Sequence, residues 1–411
     1  MLWLRPRFWQ KVLAALLIVG VVPIALVSAV SIQNTRNDLT ALGVTNIQQR
    51  STSTASAIDA YLQSRLGDIV LVGKLPDIVR FGQSLKDVAL KNAARQALVA
   101  AAARSPEYES VAVVDPEGTI VAASVQTDEG TSVKFREYFT TALKGTPYIS
   151  DPSYSVITNK PALFFSAPVT DGKVVLAVVR TRVNLAAIWD VVETDAGSVG
   201  VGAHGFLVDD YGIRLAVSET KGHRDQAESL IYKPIAPIAP DVATKLAADK
   251  RFGTKTPDQL VIDPLPTLKT ALDALPKGKT TTAQFAYGAG ADEQRGVVTR
   301  LVAKPWGYIL AVPLTTYTKA ADDATFNALS VVVIGLLLSF VIGIILTRSL
   351  VGPLRQLVGE ATAVSTGDVD LRVANFDTRR GDDITREVAS AFDRMLNALR
   401  FYALSDSGGD D

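Results

Sequence analysis

Residues 326–347 read FNALSVVVIGLLLSFVIGIILT, an apolar run without a charged residue that ends at Arg348. A helix rises about 1.5 Å per residue, so about 20 such residues cross the ~30 Å hydrocarbon core of a bilayer. A helix that is apolar on every side has no face suited to water. The run therefore predicts a transmembrane helix, with the residues before it and after it on opposite sides of the membrane.

A second apolar run, residues 12–32, is also long enough to span a bilayer. A cleaved signal peptide is the alternative, since Val27-Ser28-Ala29 has the form of a small-residue cleavage site. The apolar core of a signal peptide is usually ~7 to 15 residues, and this run is longer. We therefore expect residues 12–32 to be an uncleaved transmembrane helix.

Basic residues lie on the outer flank of each span: Arg5, Arg7 and Lys11 before the first, and Arg348 and Arg355 after the second. Cytoplasmic flanks are enriched in such residues, so both termini, including residues 1–11, are expected in the cytoplasm. This predicts a multi-pass protein of the cell inner membrane, with lipid as a partner. Residues 33–323 would then lie outside the cytoplasmic membrane.

Composition excludes several classes of function. Lysine plus arginine and aspartate plus glutamate both number 42, so no basic excess exists for nucleic acid, and no nucleic-acid partner is expected. Cysteine is absent, which removes disulfides and thiolate chemistry, and only two histidines occur. No enzymatic constellation, metal site or cofactor motif emerges, so we expect a protein that is not an enzyme and has no cofactor.

Helix and strand patterns alternate between the two spans. Helical apolar spacing over residues 35–73 predicts a long helix whose buried stripe packs on its own domain or pairs with a second copy. A helix at 88–102, a hairpin around Pro116-Glu117-Gly118, a helix at about 135–143 and a strand pair follow. The pattern predicts an α+β sensor fold with a central sheet.

A second, similar sheet is predicted from five further strand patterns, at residues 206–210, 214–218, 283–287, 296–303 and 308–313. Residues 221–279 interrupt it as an insertion. There Pro234, Pro237 and Pro240 recur every third residue, which favours an extended polyproline-like segment. The insertion is interpreted as a surface loop, with a ligand lid as the alternative.

Several segments together resemble a double Cache domain. They are FREYF (135–139), PYISDP (147–152) and SAPV (166–169) in the first half, and GFLVDD (205–210) and KPWGY (304–308) in the second. The resemblance implies two PAS-like antiparallel-sheet subdomains, a distal one over about 75–195 and a membrane-proximal one over about 196–316. It also implies a small-molecule ligand outside, bound in the distal half.

The candidate ligand site starts from Arg136 beside Tyr138 and Phe139, because a cation next to two aromatic rings suits a carboxylate with an apolar body. Packing of the helix on the sheet, with Arg136 in solvent, is the alternative. The resemblance adds further ligand-binding candidates, which are Tyr148, Asp151, Ser153, Tyr154, Ser155 and Arg182. Amino-acid-binding relatives usually carry a tyrosine and an aspartate where Ser153 and Ser155 stand and an aspartate where Arg182 stands, which disfavours recognition of an α-amino group.

Alternation along the strand at 173–183 places Leu176, Val178, Arg180 and Arg182 on one face. If this face lines the pocket, the cavity is cationic and the expected ligand is an organic anion such as a carboxylate. If it lies at a solvated edge, the arginines are simply hydrated.

Beyond the second span, apolar residues step by three and four over 350–364 and again over 384–402, which predicts two helices with a coiled-coil seam. With Gly367-Asp368 and Asp382-Asp383-Ile384, residues 348–400 resemble a HAMP domain. This resemblance implies a parallel four-helix bundle in a homodimer. The predicted fold is thus an α+β extracytoplasmic sensor with a long N-terminal helix, two transmembrane helices and a cytoplasmic HAMP helical bundle.

Only a polar tail, residues 401–411, follows the HAMP-like segment. We therefore expect a receptor, similar to the input half of chemoreceptors and sensor kinases, that relays its signal to a separate cytoplasmic signalling protein. The alternative is a membrane-anchored extracytoplasmic binding or interaction protein that uses HAMP only for dimerisation.

Overall fold

The protein is described by a computed structural model. It describes residues 8–218 and 231–346, together with isolated residues between 358 and 401. The chain divides into two compact units, one formed by residues 1–37 with 320–411 and the other by residues 38–319. The predicted seam of the HAMP-like segment lies mostly outside the described residues.

Two long helices carry the apolar runs. Helix α1 covers Phe8–Gly73 and helix α8 covers Leu314–Leu346. Each contains an 18-residue stretch apolar enough to cross a membrane, with a mean hydropathy of 1.7 in α1 and 2.9 in α8. Both predicted spans therefore fall on helices, apart from residue 347, which lies outside the described part of the chain.

The first sheet lies in the unit of residues 38–319 and is antiparallel. Its strands are β1 (Tyr108–Val114), β2 (Ile120–Ala123), β3 (Tyr148–Ile149), β4 (Ser153–Tyr154), β5 (Pro161–Asp171) and β6 (Val174–Val183). Their order is β2-β1-β6-β5-β3, and β4 pairs with β5 outside this path. Three helices pack against this sheet: α2 (Pro76–Gln83), α3 (Val88–Ala102) and α4 (Glu137–Leu143). Helix α5 (Ala186–Val199) follows β6 and packs against the second sheet.

The second sheet is also antiparallel and has the order β8-β7-β11-β10-β9. Its strands are β7 (His204–Val208), β8 (Arg214–Val217), β9 (Thr282–Tyr287), β10 (Gln294–Arg300) and β11 (Gly307–Pro313). Each of the five predicted strands of this sheet is present, with ends shifted by one to three residues. The fold prediction of a long helix and two antiparallel sheets is thus confirmed.

Helix α1 connects to both sheets through polar contacts. The hydroxyls of Ser51 and Thr299 of β10 lie 2.6 Å apart and are buried. The carboxylate of Asp59 accepts the backbone N–H groups of Val302 and Ala303, at 2.7 and 2.8 Å. Further along, Tyr61 donates to Glu107, next to β1, at 2.6 Å. Residues 38–73 therefore join the two subdomains along one helix.

From Ala177 to Val183 the two faces of β6 differ as the alternation predicts, whereas Leu176, at a register shift, contacts Gly82 of α2 and not the face of Val178. Ala177, Val179 and Val183 belong to the large apolar core shared with α1, α2 and α3. Val178 belongs to a separate cluster formed with α4. Because side chains alternate along a strand, Arg180 and Arg182 share the face of Val178 and lie on the α4 side of the sheet.

The insertion is not a surface loop, which corrects that interpretation. It contains helices α6 (Pro240–Ala248) and α7 (Pro266–Ala274), each with proline in its first turn, where a missing N–H costs no hydrogen bond. Its described residues Leu246, Phe252, Leu268 and Leu272 are buried. The proline-spaced stretch from Pro234 to Ala239 contains no helix, whereas Pro240 begins α6. The insertion is therefore part of the folded core.

Candidate ligand site

Arg136 is the centre of the first group of predicted site residues. It immediately precedes α4 and is 1% exposed, so it is not the solvated side chain of the alternative interpretation. One terminal nitrogen donates to the Ser153 hydroxyl at 3.0 Å and to the backbone carbonyl of Asp249. The other donates to the backbone carbonyl of Tyr154 at 2.6 Å. The carboxylate of Asp249 lies 3.8 Å away, so neutral oxygens accept the bonds of this buried cation.

Tyr138 and Phe139 belong to the apolar cluster beneath α4. The ring of Tyr138 stacks on Phe164 of β5 with centroids 4.8 Å apart and planes 17° apart. The Arg136 guanidinium lies 5.7 Å from the centroid of the same Phe164 ring. These aromatic side chains therefore form an apolar floor beside Arg136.

Arg182 and its neighbour Arg180 are buried and share one acidic partner. Asp128 accepts hydrogen bonds from both at 3.0 Å, and Arg182 also pairs with Glu109 at 3.0 Å. Burial alone raises the pKa of Asp128, but a bond from Ser110 and the charge of Arg180 outweigh it and hold the pKa below its usual value. The hydrated interpretation of these arginines is thus wrong, and their charges are balanced within the protein.

Asp151 belongs to a different group, in which both sheets and the insertion meet. Its carboxylate pairs with Arg251 of the insertion at 2.9 Å and with Lys304 at 3.2 Å, and it accepts the indole N–H of Trp306 at 2.6 Å. Arg251 also pairs with Asp209 in the turn between β7 and β8. One guanidinium thus bridges a carboxylate next to the first sheet and a carboxylate of the second.

The remaining two candidates have separate positions. The ring of Tyr148 lies under Lys304, whose ammonium nitrogen is 5.2 Å from the centroid, and burial raises the pKa of Tyr148 well above its usual value. The hydroxyl of Ser155 accepts the backbone N–H groups of Ile157 and Thr158 and so holds a turn. Among the nine predicted residues, the structure joins Ser153 and Tyr154 directly to Arg136.

Several side chains around these groups were not predicted. Asp128, Asp249 and Arg251 lie in segments without a recognisable motif, and each meets its partner across more than 50 residues of sequence. Lys304 and Trp306, by contrast, lie in the segment KPWGY, which contributes to the resemblance to a double Cache domain. No local pattern in the sequence marks the other three.

A cavity of 620 Å³ adjoins this region and includes Tyr154 in its wall. Tyr154 is the one predicted site residue that lines it. Among the described residues, no group of three or more acidic or histidine side chains could hold a metal ion.

Comparison with protein families identifies the segment after α8. Residues 345–401 match the HAMP domain family, which confirms the predicted presence of a HAMP domain. No curated protein matches the chain.

Comparison with solved structures gives sensor domains at low sequence identity. The sensor domain of the V. cholerae histidine kinase DctB has a TM-score of 0.48 and 14% identity, covering 66% of this chain and 96% of that one. The ligand-binding domain of the Campylobacter jejuni chemoreceptor Tlp3, in complex with 4-methylisoleucine, has a TM-score of 0.47 and 12% identity, covering 68% and 94%. That of the Pseudomonas fluorescens chemoreceptor CtaA with L-leucine has a TM-score of 0.45 and 14% identity, covering 69% and 99%.

The chain thus combines two apolar helices, an intervening double-sheet domain with a long N-terminal helix, and a HAMP domain. This is the order of elements that the sequence analysis predicts.

Proposed function

We propose that the protein is a membrane receptor with a double Cache sensor domain. It senses a small organic anion outside the cytoplasmic membrane and relays the signal through HAMP to a separate cytoplasmic protein. The proposal rests on Arg136, a buried guanidinium that donates to three neutral oxygens. A carboxylate binds guanidinium by two parallel, charge-assisted hydrogen bonds, which are stronger than bonds to neutral carbonyls. A ligand carboxylate would therefore gain free energy by replacing them.

The insertion gives this exchange a structural consequence. The Asp249 carbonyl that Arg136 holds belongs to the turn after α6, and the Tyr154 N–H donates to the next carbonyl, that of Lys250, at 3.1 Å. A ligand carboxylate that takes the place of the Asp249 carbonyl would move this turn. The turn then acts as a lid whose position depends on whether the site is occupied.

Arg182 contributes less directly to this proposal. It already has two carboxylate partners, Asp128 and Glu109, so it offers no unmatched charge to a ligand. Tyr138 and Phe164 supply the apolar surface for the body of the ligand. Ligand binding that favours one of two packed arrangements would shift their populations, and HAMP would carry this shift onward.

The test uses the full chain in lipid nanodiscs and calorimetry with acetate, lactate, malate and succinate. We expect at least one carboxylate to bind, and Arg136→Gln to weaken it about 10- to 100-fold, the scale of a charged hydrogen bond. Lys134→Gln removes a nearby charge from an exposed side chain and should leave the affinity unchanged.

A second variant separates binding from folding. Asp249→Asn keeps the backbone carbonyl and removes a carboxylate 3.8 Å from Arg136, so carboxylate affinity should rise several-fold. Tight binding of spermidine would show that Arg136 is not the site. A carboxylate affinity that neither Arg136→Gln nor Asp249→Asn changes would show the same.

A further inference from the structure

The 620 Å³ cavity lies where β1, the β4–β5 connection, the start of α5 and the insertion meet, and Arg136 does not line it. Its volume is within the range of about 300 to 1,000 Å³ that is typical of small-molecule sites. Three aromatic residues contribute to its wall: Tyr154, Trp189 and Tyr232. It is therefore a second possible site, separate from the arginine-centred one.

The aromatic wall suits a flat ring. The rings of Tyr154 and Tyr232 have centroids 5.5 Å apart and planes tilted by 40°, a geometry that aromatic groups favour. Trp189 donates its indole N–H to the carbonyl of Leu215 at 3.3 Å, and its side chain contributes to the cavity wall. A third ring entering the cavity would find edge and face contacts on these side chains.

The backbone conformation and the buried hydroxyl of Tyr232 both reduce the stability of the fold. Its φ of 61° lies in the left-handed region that a bulky residue rarely adopts. Its hydroxyl is buried and has no hydrogen-bond partner among the described residues, which also costs free energy. Local strain of this kind is concentrated at functional sites. Both costs fall on a residue of the cavity wall.

The charges around the cavity indicate an uncharged ligand. The carboxylate of Glu109 is paired with Arg182 at 3.0 Å. Lys160 is exposed, so water solvates its ammonium group. A charged ligand in the interior would lose its hydration without gaining an unmatched counter-charge, which is unfavourable.

Asn184 supplies a directional polar contact. Its side-chain oxygen accepts the backbone N–H of Ala186 at 3.0 Å, at the start of α5, which leaves its amide N–H groups to donate. We propose that this cavity binds an uncharged aromatic molecule that carries a carbonyl or amide group, with the ring among the tyrosines and the oxygen at Asn184. Because α5 joins the two sheets in sequence, the bound molecule acts on the connection between the subdomains.

The probes are benzamide, benzoate and benzylammonium. They share one aromatic ring and are neutral, negatively charged and positively charged, respectively. Saturation-transfer NMR on the full chain in nanodiscs measures each affinity. We expect benzamide to bind saturably at millimolar concentrations and about tenfold more tightly than either ion, because only the ions lose hydration uncompensated. No saturable benzamide signal, or equal affinities for all three probes, would overturn the proposal.

Variants locate the binding. Ala186 is exposed and lines the cavity, so Ala186→Phe should fill it and abolish benzamide binding. Thr194→Phe adds the same ring at an exposed position of α5 outside the cavity wall and should leave binding intact. Asn184→Asp keeps the oxygen that accepts from Ala186, removes the donors, and should weaken benzamide about five- to tenfold.

Arg136→Gln separates this proposal from the proposed function. It should weaken carboxylate binding about 10- to 100-fold and leave benzamide binding unchanged. Ala186→Phe should abolish benzamide binding and leave carboxylate binding unchanged. Benzamide binding that survives both Ala186→Phe and Asn184→Asp would show that the cavity is not its site.

Discussion

Arg251 of the insertion pairs with Asp209 of the turn between β7 and β8, and their side chains are 3% and 2% exposed. The carboxylate of Asp209 also accepts the backbone N–H groups of Tyr211 and Ile213 and so holds this turn. Removal of one partner from a buried ion pair leaves the other charge uncompensated. This pair therefore joins the insertion to the second sheet.

Arg251→Met should lower the free energy of unfolding by about 3–5 kcal/mol, because it leaves both Asp209 and Asp151 without their guanidinium. Urea denaturation of the full chain in detergent, followed by tryptophan fluorescence, measures the change. Lys255→Met removes a charge from an exposed position of the same insertion and should change stability by less than about 0.5 kcal/mol. A similar effect of both substitutions would contradict the bridging role.

Asp151 should give the fold an acid-sensitive component. Burial alone raises the pKa of Asp151, but Arg251, Lys304 and the Trp306 N–H outweigh it and lower the pKa below its usual value. The folded state then binds the proton less readily than the unfolded state, so this carboxylate adds stability above about pH 4 and loses it as the pH falls further. Asp151→Asn should flatten the decline in unfolding free energy below about pH 4, whereas the exposed Asp258→Asn should not.

Cysteine labelling tests the predicted topology, since the natural chain contains no cysteine. In spheroplasts with an intact inner membrane, a membrane-impermeant maleimide should label Ser84→Cys, an exposed position before α3. It should label Ser407→Cys, in the polar tail, only after the inner membrane is permeabilised. Labelling of the tail in intact spheroplasts would place the C-terminus outside.

Cysteine crosslinking tests the predicted homodimer. In a parallel HAMP bundle, Leu354 lies on the apolar seam and Arg355 does not. Leu354→Cys should therefore form a disulfide with its own copy much faster than Arg355→Cys under mild oxidation. Equal rates at the two positions would count against a parallel bundle.

The sequence predicted those elements whose signals are local. Helix α3 was predicted at its observed bounds, Val88–Ala102, and Asp87 accepts the N–H groups of Ala89 and Leu90 as its cap. The two faces of β6 were predicted because a strand has a period of two residues. The short helix α2 and the two-residue strands β3 and β4 were missed, since so few residues establish no period.

The insertion was misinterpreted because two signals conflict there. The three-residue spacing of prolines indicated extended chain, but Pro240 stands at the start of a helix. The partners of the site arginines could not be predicted either. Asp128 reaches Arg180 from 52 residues away, and only the folded sheet brings them together. A pairing of this kind has no signature in local sequence.

The bridge through Arg251 couples hydrogen exchange in the two sheets of the domain between the apolar helices. Asp151 follows β3 and Asp209 follows β7, so local opening of the insertion removes a counter-charge from both sheets at once. Amides of the β3–β4 connection and of the β7–β8 turn should then exchange with deuterium at matched rates, as one cooperative unit. A variant that loosens the insertion would accelerate exchange in both places, although they lie more than 50 residues apart in sequence.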